Sequence, residues 1–519
     1  MANLISEPSV SVPIVPAAPV ASVAPKLTTI IGQSLAAGTA TNGVLLEDIN
    51  VYAADTLFGA GSVLATMVNN FAKINTVSQV DVIALEDSGT AVQSEGIFTI
   101  TGTATASGTI DFYVGSKDRK YSIDIVATDT ETDVGDALEA AITADTKALV
   151  TAANVAGIVT LTAKNGGTIG DTIGLMYEGS AAGISVAITA MTGGANDPSM
   201  TGIADLLVKR TDIVMPYEYD ISTFQTLLQS RFNVDNDILD GRLFTAVSDT
   251  KTALVVIGDA ENDQSLVIFP DKPVNTTTKK GTAIFEMLYN MSSQFAAVRS
   301  LRLESDPAYA ITDWVTTTQP RDQKSGPHTN SLPYHNTLLL LPVIPTGQGW
   351  TTSEVADLKD AGFAIIGNNK ANNAVICGSI LTTYKTNIAG QDDDSYKYLN
   401  YVDTATAARE YIFNSLKIDY AQSRLTNGTA VPGYDYKDAN AVAADMKRYH
   451  ETLSGVGYAL LQEGTLPDGR IVIDVFEDNL TVEVNVRTGN IDIYAPLFIV
   501  TQVRSIFAPL QITFNPQDL

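Results

Sequence analysis

Apolar and polar positions follow two different periods along this chain, and the period changes by region. Between Gly96 and about Gly194 the period is two. Ile110, Phe112 and Val114 fall on one side of a strand and Thr109, Asp111 and Tyr113 on the other, and Val159, Leu161 and Ala163 alternate with Thr160 and Thr162 in the same way. Inside that stretch Val134, Ala137, Leu138, Ala141 and Ile142 are spaced as one apolar helical stripe. The pattern predicts a compact β-rich domain with one helix over 96–194, inserted into something larger.

The flanking regions mix both periods. Leu64, Met67, Val68 and Phe71 have helical spacing in 27–95, and a second helix over Ile284, Met287, Leu288, Met291, Phe295 and Val298 lies in 200–375. Apolar runs at Ala253–Ile257, Leu266–Phe269 and Leu338–Val343 supply the strand signals between helices. Thr351 and Glu354 form a capping box for a short helix, Gly362 is placed to stop it, and a strand Phe363–Ile366 is expected to follow. Such alternation predicts an α/β layer around a largely buried sheet. In 376–496 two amphipathic helices, striped by Ala405, Ala408, Ile412, Leu416 and by Val442, Met446, Tyr449, Leu453, precede a predicted meander of Ile471–Phe476, Thr481–Arg487 and Ile491–Tyr494. The segment 497–519 is strand-like through Phe514, with no obvious partner in its own domain. At the other end, residues 1–26 carry Pro13, Pro16, Pro19 and Pro25 among Val, Ala and Ser, a composition suited to an extended arm.

Composition narrows the function. The 519 residues hold 32 Lys+Arg against 58 Asp+Glu, a formal charge of −26 that disfavours nucleic acid and an anionic membrane surface as partners. Self-association must then rest on apolar patches, backbone pairing or local charge complementarity. Cys377 is the only cysteine, so no internal disulfide and no thiolate-rich metal site is available. The N-terminus has no basic n-region, and no stretch is long and apolar enough to span a bilayer, which predicts action in the cytoplasm where the chain is made.

Motifs for chemistry are missing in turn. There is no phosphate loop and no GxSxG elbow, and Gly59-Ala60-Gly61 has Leu64 where a dinucleotide fingerprint needs its third glycine, so a turn is the better reading. His328, His335 and His450 form no metal-binding pair, and Asp392-Asp393-Asp394 lacks the spacing of a calcium loop. The expectation is a non-enzyme with no catalytic residue, cofactor or metal. Two rival readings remain: an adhesin binding through the 96–194 domain, and an enzyme on the α/β segment using His328 or His335.

Thr382-Thr383-Tyr384-Lys385-Thr386-Asn387, then Gly390-Gln391-Asp392, then the helix through Arg409 and Leu416 with Ile418 following, resembles the C-terminal region of Mu-like contractile phage tail sheath proteins. Asn490-Ile491-Asp492-Ile493-Tyr494-Ala495-Pro496, continuing to Arg504 and Gln511-Ile512-Thr513-Phe514, is similar to that family's closing strands. The stretches Gly102–Thr109 and Gly157–Ala163 resemble the β-rich insertion those sheaths carry. The resemblance implies an α+β multidomain fold: arm 1–26, a mixed α/β sheath core of 27–95 and 200–375, an inserted β-rich outer domain 96–194, a C-terminal α+β domain 376–496 and a terminal strand or arm 497–519. It also implies a structural virion protein of the tail, assembled in the host bacterial cytoplasm. Hexameric rings would stack around a tail tube and contract to drive the tube through the host envelope. The implied partners are other copies of the chain, the tail tube protein, and baseplate and tail terminator proteins. The Pro-rich leader departs from the family's pattern. Arms that add strands to neighbouring subunits make Val10, Val12, Ile14, Ile491, Ile493, Tyr494, Arg504, Ile506, Ile512 and Phe514 the candidate assembly residues.

Overall fold

A computed structural model of the chain describes residues 27–232, 238–301, 334, 337–428, 435–455, 460–466 and 468–500. The candidates Val10, Val12, Ile14, Arg504, Ile506, Ile512 and Phe514 lie outside these residues, as do His328 and His335.

The described residues open with β1 (Thr28–Gln33), β2 (Leu45–Leu46), helices α1 (Ala54–Phe58) and α2 (Val63–Ala72), and β3 (Val80–Leu85). Ser62 caps α2 by accepting a hydrogen bond from the Ala65 amide at 3.0 Å. Gly59 and Gly61 sit at positive φ in the α1–α2 turn, where a side chain on Gly61 would come within 2.2 Å of the Ala148 carbonyl. The glycines serve that close approach, as a turn reading requires.

After β3 the chain leaves the sheet for β4 (Glu95–Thr101), β5 (Gly108–Val114), β6 (Lys120–Ile125), α3 (Glu131–Ala144), β7 (Val150–Val155), β8 (Ile158–Ala163), β9 (Leu175–Ser180) and β10 (Ser185–Thr192). It returns as β11 (Asp212–Val214), α4 (Ser222–Arg231), β12 (Leu243–Ser248), α5 (Lys251–Ala260), β13 (Leu266–Asp271), β14 (Pro273–Asn275), β15 (Lys279–Thr282), α6 (Leu288–Ser300), α7 (Thr352–Asp360), β16 (Ile366–Asn368) and β17 (Ala374–Ile376). The C-terminal part holds α8 (Leu399–Tyr420), β18 (Arg424–Leu425), β19 (Tyr436–Lys437), α9 (Ala439–Ser454), α10 (Val472–Asn479), β20 (Thr481–Asn485) and β21 (Asn490–Tyr494).

The fold is mixed α/β. Its central sheet has six strands in the order β13-β12-β11-β1-β3-β2, parallel except for β2 at one edge. β1, β3 and β13 are buried along their whole length, as parallel strands covered on both faces must be. The chain runs one way from β1 to β3 and the other way from β11 to β13, so right-handed crossovers put α2 and the α4–α5 pair on opposite faces. Helix α6, buried on every side, packs beside α2.

Residues 95–192 build a four-stranded sheet, β10-β4-β8-β7, and most of a five-stranded one, β14-β15-β9-β5-β6. The second sheet mixes the two parts of the chain, because β15, from beyond β13, pairs with β9. One continuous apolar core runs from Ile30 in the central sheet to Phe98, Phe112 and Leu161 in this region.

Several sequence expectations hold. Helix α3 takes the 134–142 stripe behind a Thr130–Asp133 capping box, and α7 has the Thr351–Glu354 box with Gly362 at positive φ just past its end. Others fail for identifiable reasons. Ala253–Ile257 is helical in α5, capped by Thr250, and buries only Leu254 and Gly258; a short unbroken apolar run has no period to tell helix from strand. Ile471–Phe476 goes the same way, forming α10 with Val472, Val475 and Phe476 inward, so the meander reduces to a hairpin. Leu338–Val343 makes a single bridge, Leu338 to Val375, since Pro342 cannot donate to a ladder. Phe363 makes one parallel bridge to Ile268, and the strand there begins only at Ile366.

Candidate assembly surface

In an open α/β sheet small ligands bind beyond the carboxyl ends of the strands, where the strand order reverses. Here that crevice lies between β1 and β11, and it is filled by protein. Gln33, fully buried at the end of β1, donates to Asp87 at 2.7 Å and to the Gly166 carbonyl at 2.8 Å, and accepts from the Tyr219 hydroxyl at 2.7 Å. Asn165 donates to the Ser34 carbonyl at 2.9 Å and accepts from the Val63 amide at 3.0 Å. The 164–167 turn after β8 thus plugs the position a substrate would take. Among the described residues no group of three or more His, Cys, Asp or Glu is placed to hold a metal ion, and no helix is long and apolar enough to cross a membrane.

The C-terminal part offers something different. Helix α9 buries Val442, Met446, Tyr449 and Leu453, and α8 presents Tyr411, Ile412 and Leu416 to the same small cores. Polar pairs fix the two helices. The Tyr449 hydroxyl donates to Asp419 at 2.6 Å and the Tyr420 hydroxyl to Asp445 at 2.9 Å, and the first of these holds the Asp419 carboxyl below its ordinary range. Phe476 of α10 lies against the His450 ring at 4.5 Å. Among the described residues neither ring nitrogen of His450, both buried, has a hydrogen-bond partner, and burial pushes its pKa below the ordinary value. This third histidine is therefore a core residue.

On that platform rests the β20–β21 hairpin, in register from Thr481 opposite Tyr494 to Asn485 opposite Asn490. Its turn is built by the Asn485 side chain, which accepts from the Arg487 and Thr488 amides at 3.1 Å each, and by Gly489 at positive φ. Val482, Ile491 and Ile493 lie on the inner face, against the small core. Tyr494, two-thirds exposed, points outward. Among the described residues neither outer edge is paired, since β20 and β21 have only each other. A two-stranded hairpin is marginal alone, and open edges are templates for added strands.

Beside the hairpin a mostly apolar cavity of about 410 Å³ among the described residues is lined by Ile412 and Leu416 of α8, by Met446, and by Ile493 and Leu497, with Asp240 and Arg409 also in its wall. The chain past the hairpin does find partners at home. Ile499 bridges to Leu461, the Gln462 amide donates to the Phe498 carbonyl at 2.7 Å, and the Val500 amide to the Leu460 carbonyl at 3.0 Å. The expectation of a partnerless terminal segment is thus corrected for 497–500; 501–519 are outside the described residues. Of the candidate residues, Ile491, Ile493 and Tyr494 come together here, the first two as support and the third at an exposed position.

Sequence reasoning missed the charged cluster joining α8 to the sheet. Buried Arg299, 1% exposed, forms a two-pronged pair with Asp403 at 2.6 and 2.9 Å and also meets Asp212 at 2.7 Å. Burial opposes its charge, yet the two carboxylates outweigh that and hold the guanidinium well above its ordinary pKa. An arginine in an otherwise apolar helix pattern reads as solvent-facing, so only its position inside a wholly buried helix reveals the role.

No protein-family profile matches the chain. It is 27% identical over 416 residues to the Mu-like prophage FluMu tail sheath protein of Haemophilus influenzae, covering 78% of each. Among solved structures, the sheath tail protein from Desulfitobacterium hafniense overlaps 92% of this chain and 97% of that one at TM-score 0.42 and 9% identity. A chain of the contracted-state baseplate of the anti-feeding prophage overlaps 96% of both at TM-score 0.46 and 10% identity. Over most of its length the chain is similar in sequence to a Mu-like prophage tail sheath protein, the family its C-terminal motifs resemble.

Proposed function

We propose that this chain is the structural subunit of a contractile tail sheath, with no catalytic step. The observation that carries the reading is the sequence similarity to a Mu-like tail sheath protein over 78% of both chains. Copies polymerise as stacked hexameric rings around a tail tube in the virion tail, after assembly in the host cytoplasm, and end against baseplate and terminator proteins. Contraction is a change of packing between subunits, and the energy stored in the extended lattice drives the tube through the host envelope.

The open edges of β20–β21 support a specific link between copies. A strand from the N-terminal arm, through Val10, Val12 and Ile14, and one from the C-terminal arm, through Arg504, Ile506, Ile512 and Phe514, extend the hairpin of a neighbouring copy. Each backbone hydrogen bond so formed contributes only about 0.5–1.5 kcal/mol. The link is weak singly and strong when repeated through a lattice. Residues 96–194 are the outward-facing part of the subunit in this reading. Negative-stain electron microscopy of the purified chain tests it: tubes or stacked rings of uniform width are expected, and separate compact particles at every concentration would refute it.

A further inference from the structure

The apolar core of the central body reaches α8 at Leu399, and the small C-terminal cores begin at Ala407. Between these points α8 is buried chiefly through polar side chains: Asn400, Asp403, Thr404 and Thr406. A helix passing between two apolar cores would ordinarily stay apolar, because burying a charge without compensation is costly. The compensation comes from the amino ends of the central strands, the end opposite the plugged crevice.

Asp403 accepts both prongs of Arg299, which also holds Asp212 at the start of β11. Arg242, just before β12, lies 3.5 Å from Asp403 and donates to the Thr406 hydroxyl at 3.1 Å. Thr406 in turn donates to Asp240 at 2.9 Å, and Asp240 receives Arg409 at 2.7 Å. At the rim Arg210 joins the Asp240 carbonyl at 2.8 Å to Glu410 at 2.9 Å. Every carboxylate meets an arginine; Asp403, Arg409 and Glu410 tie α8 to α6 and to the residues leading into β11 and β12, and the Arg299–Asp212 pair ties α6 to β11.

Beyond Arg409 the helix is only half-buried or exposed. It nevertheless runs unbroken for 22 residues, without glycine or proline, a length of about 33 Å. We infer that this ionic cluster is a joint that fixes the angle of α8 against the central sheet and so sets where the hairpin edges point. Apolar side chains tolerate sliding, whereas forked arginine–carboxylate pairs hold only in one orientation. The purpose of the joint rests on the proposed sheath role; its existence does not.

The test uses the full chain with Cys377→Ser and spin labels on cysteines placed at Val77, 80% exposed in the central body, and at Arg487, exposed in the hairpin turn. Label separations are measured on dispersed monomer, so the result is independent of whether the chain polymerises. One narrow distance peak is expected for the parent, and at least a twofold broader distribution for Asp403→Asn and for the rim double variant Arg210→Ala/Arg409→Ala. Should Asp403→Asn fail to fold, the rim variant decides, since Arg409 is 28% exposed and its loss leaves the Arg299 pairs in place. A parent distribution as broad as the variants', or a rim variant as narrow as the parent, overturns the inference.

Discussion

Two ionisable side chains, the half-buried Glu218 and the buried His450, give the chain opposite responses to pH in different parts. One oxygen of the Glu218 carboxyl is buried and has no hydrogen-bond partner among the described residues, and burial raises its pKa from 4.5 to about 7. The unfolded chain loses this proton first, so stability of the central body should fall as pH rises from 4.5 toward 7 and then level off. Glu218→Gln should flatten that slope and raise stability at pH 8 by roughly 1–3 kcal/mol, the residue's partial exposure keeping the figure modest; thermal melts across pH would show it. For His450 the sign reverses. Its folded pKa lies below the ordinary 6.5, so the unfolded chain takes up the proton first and the C-terminal part should weaken as pH drops below 6.5. Hydrogen exchange of α9 and α10 amides at pH 5 and pH 7.5 checks this, with His450→Phe expected to remove the difference. Gly61→Ala, with φ at +82° and the Ala148 carbonyl in the way, should cost about 1–3 kcal/mol in a denaturant melt.

At the scale of elements, the C-terminal platform has its own small cores around Phe476 and Leu453. Phe476→Ala should cost about 3–5 kcal/mol there and melt α10 and the hairpin ahead of the central sheet, visible as a split unfolding transition by calorimetry. Elements with a clear period were legible in the sequence: α2, α3, α8 and α9 as helices, β5 and β8 as strands. Those written as unbroken apolar runs were not, because Ala253–Ile257 and Ile471–Phe476 carry no period of their own and took their form from tertiary packing. The hairpin was legible through Thr488-Gly489-Asn490, whose turn chemistry is local. Which face it buries was not, since that depends on Phe476 arriving from α10.

For the whole molecule, charge is the first control. At −26 copies repel one another, and raising salt from about 10 to 150 mM shortens the screening length from about 30 to 8 Å, so the concentration needed for polymerisation should fall; light scattering against salt would measure it. The alternation that makes β5 and β8 was readable along the chain. The pairing of β15 with β9 was not, being set by strands about a hundred residues apart, and neither was the α8 joint, which needs side chains from β11, from the residues just before β12 and from α6 at once. The central claim is that the chain ends link copies through open hairpin edges. Its most direct measurement compares, by sedimentation and electron microscopy, the full chain with one lacking 1–26 and 501–519. The full chain should form uniform tubes or rings while the truncated chain stays folded and dispersed. Equal polymerisation by the truncated chain, or a full chain that remains monomeric at high concentration with its tube protein present, would contradict it.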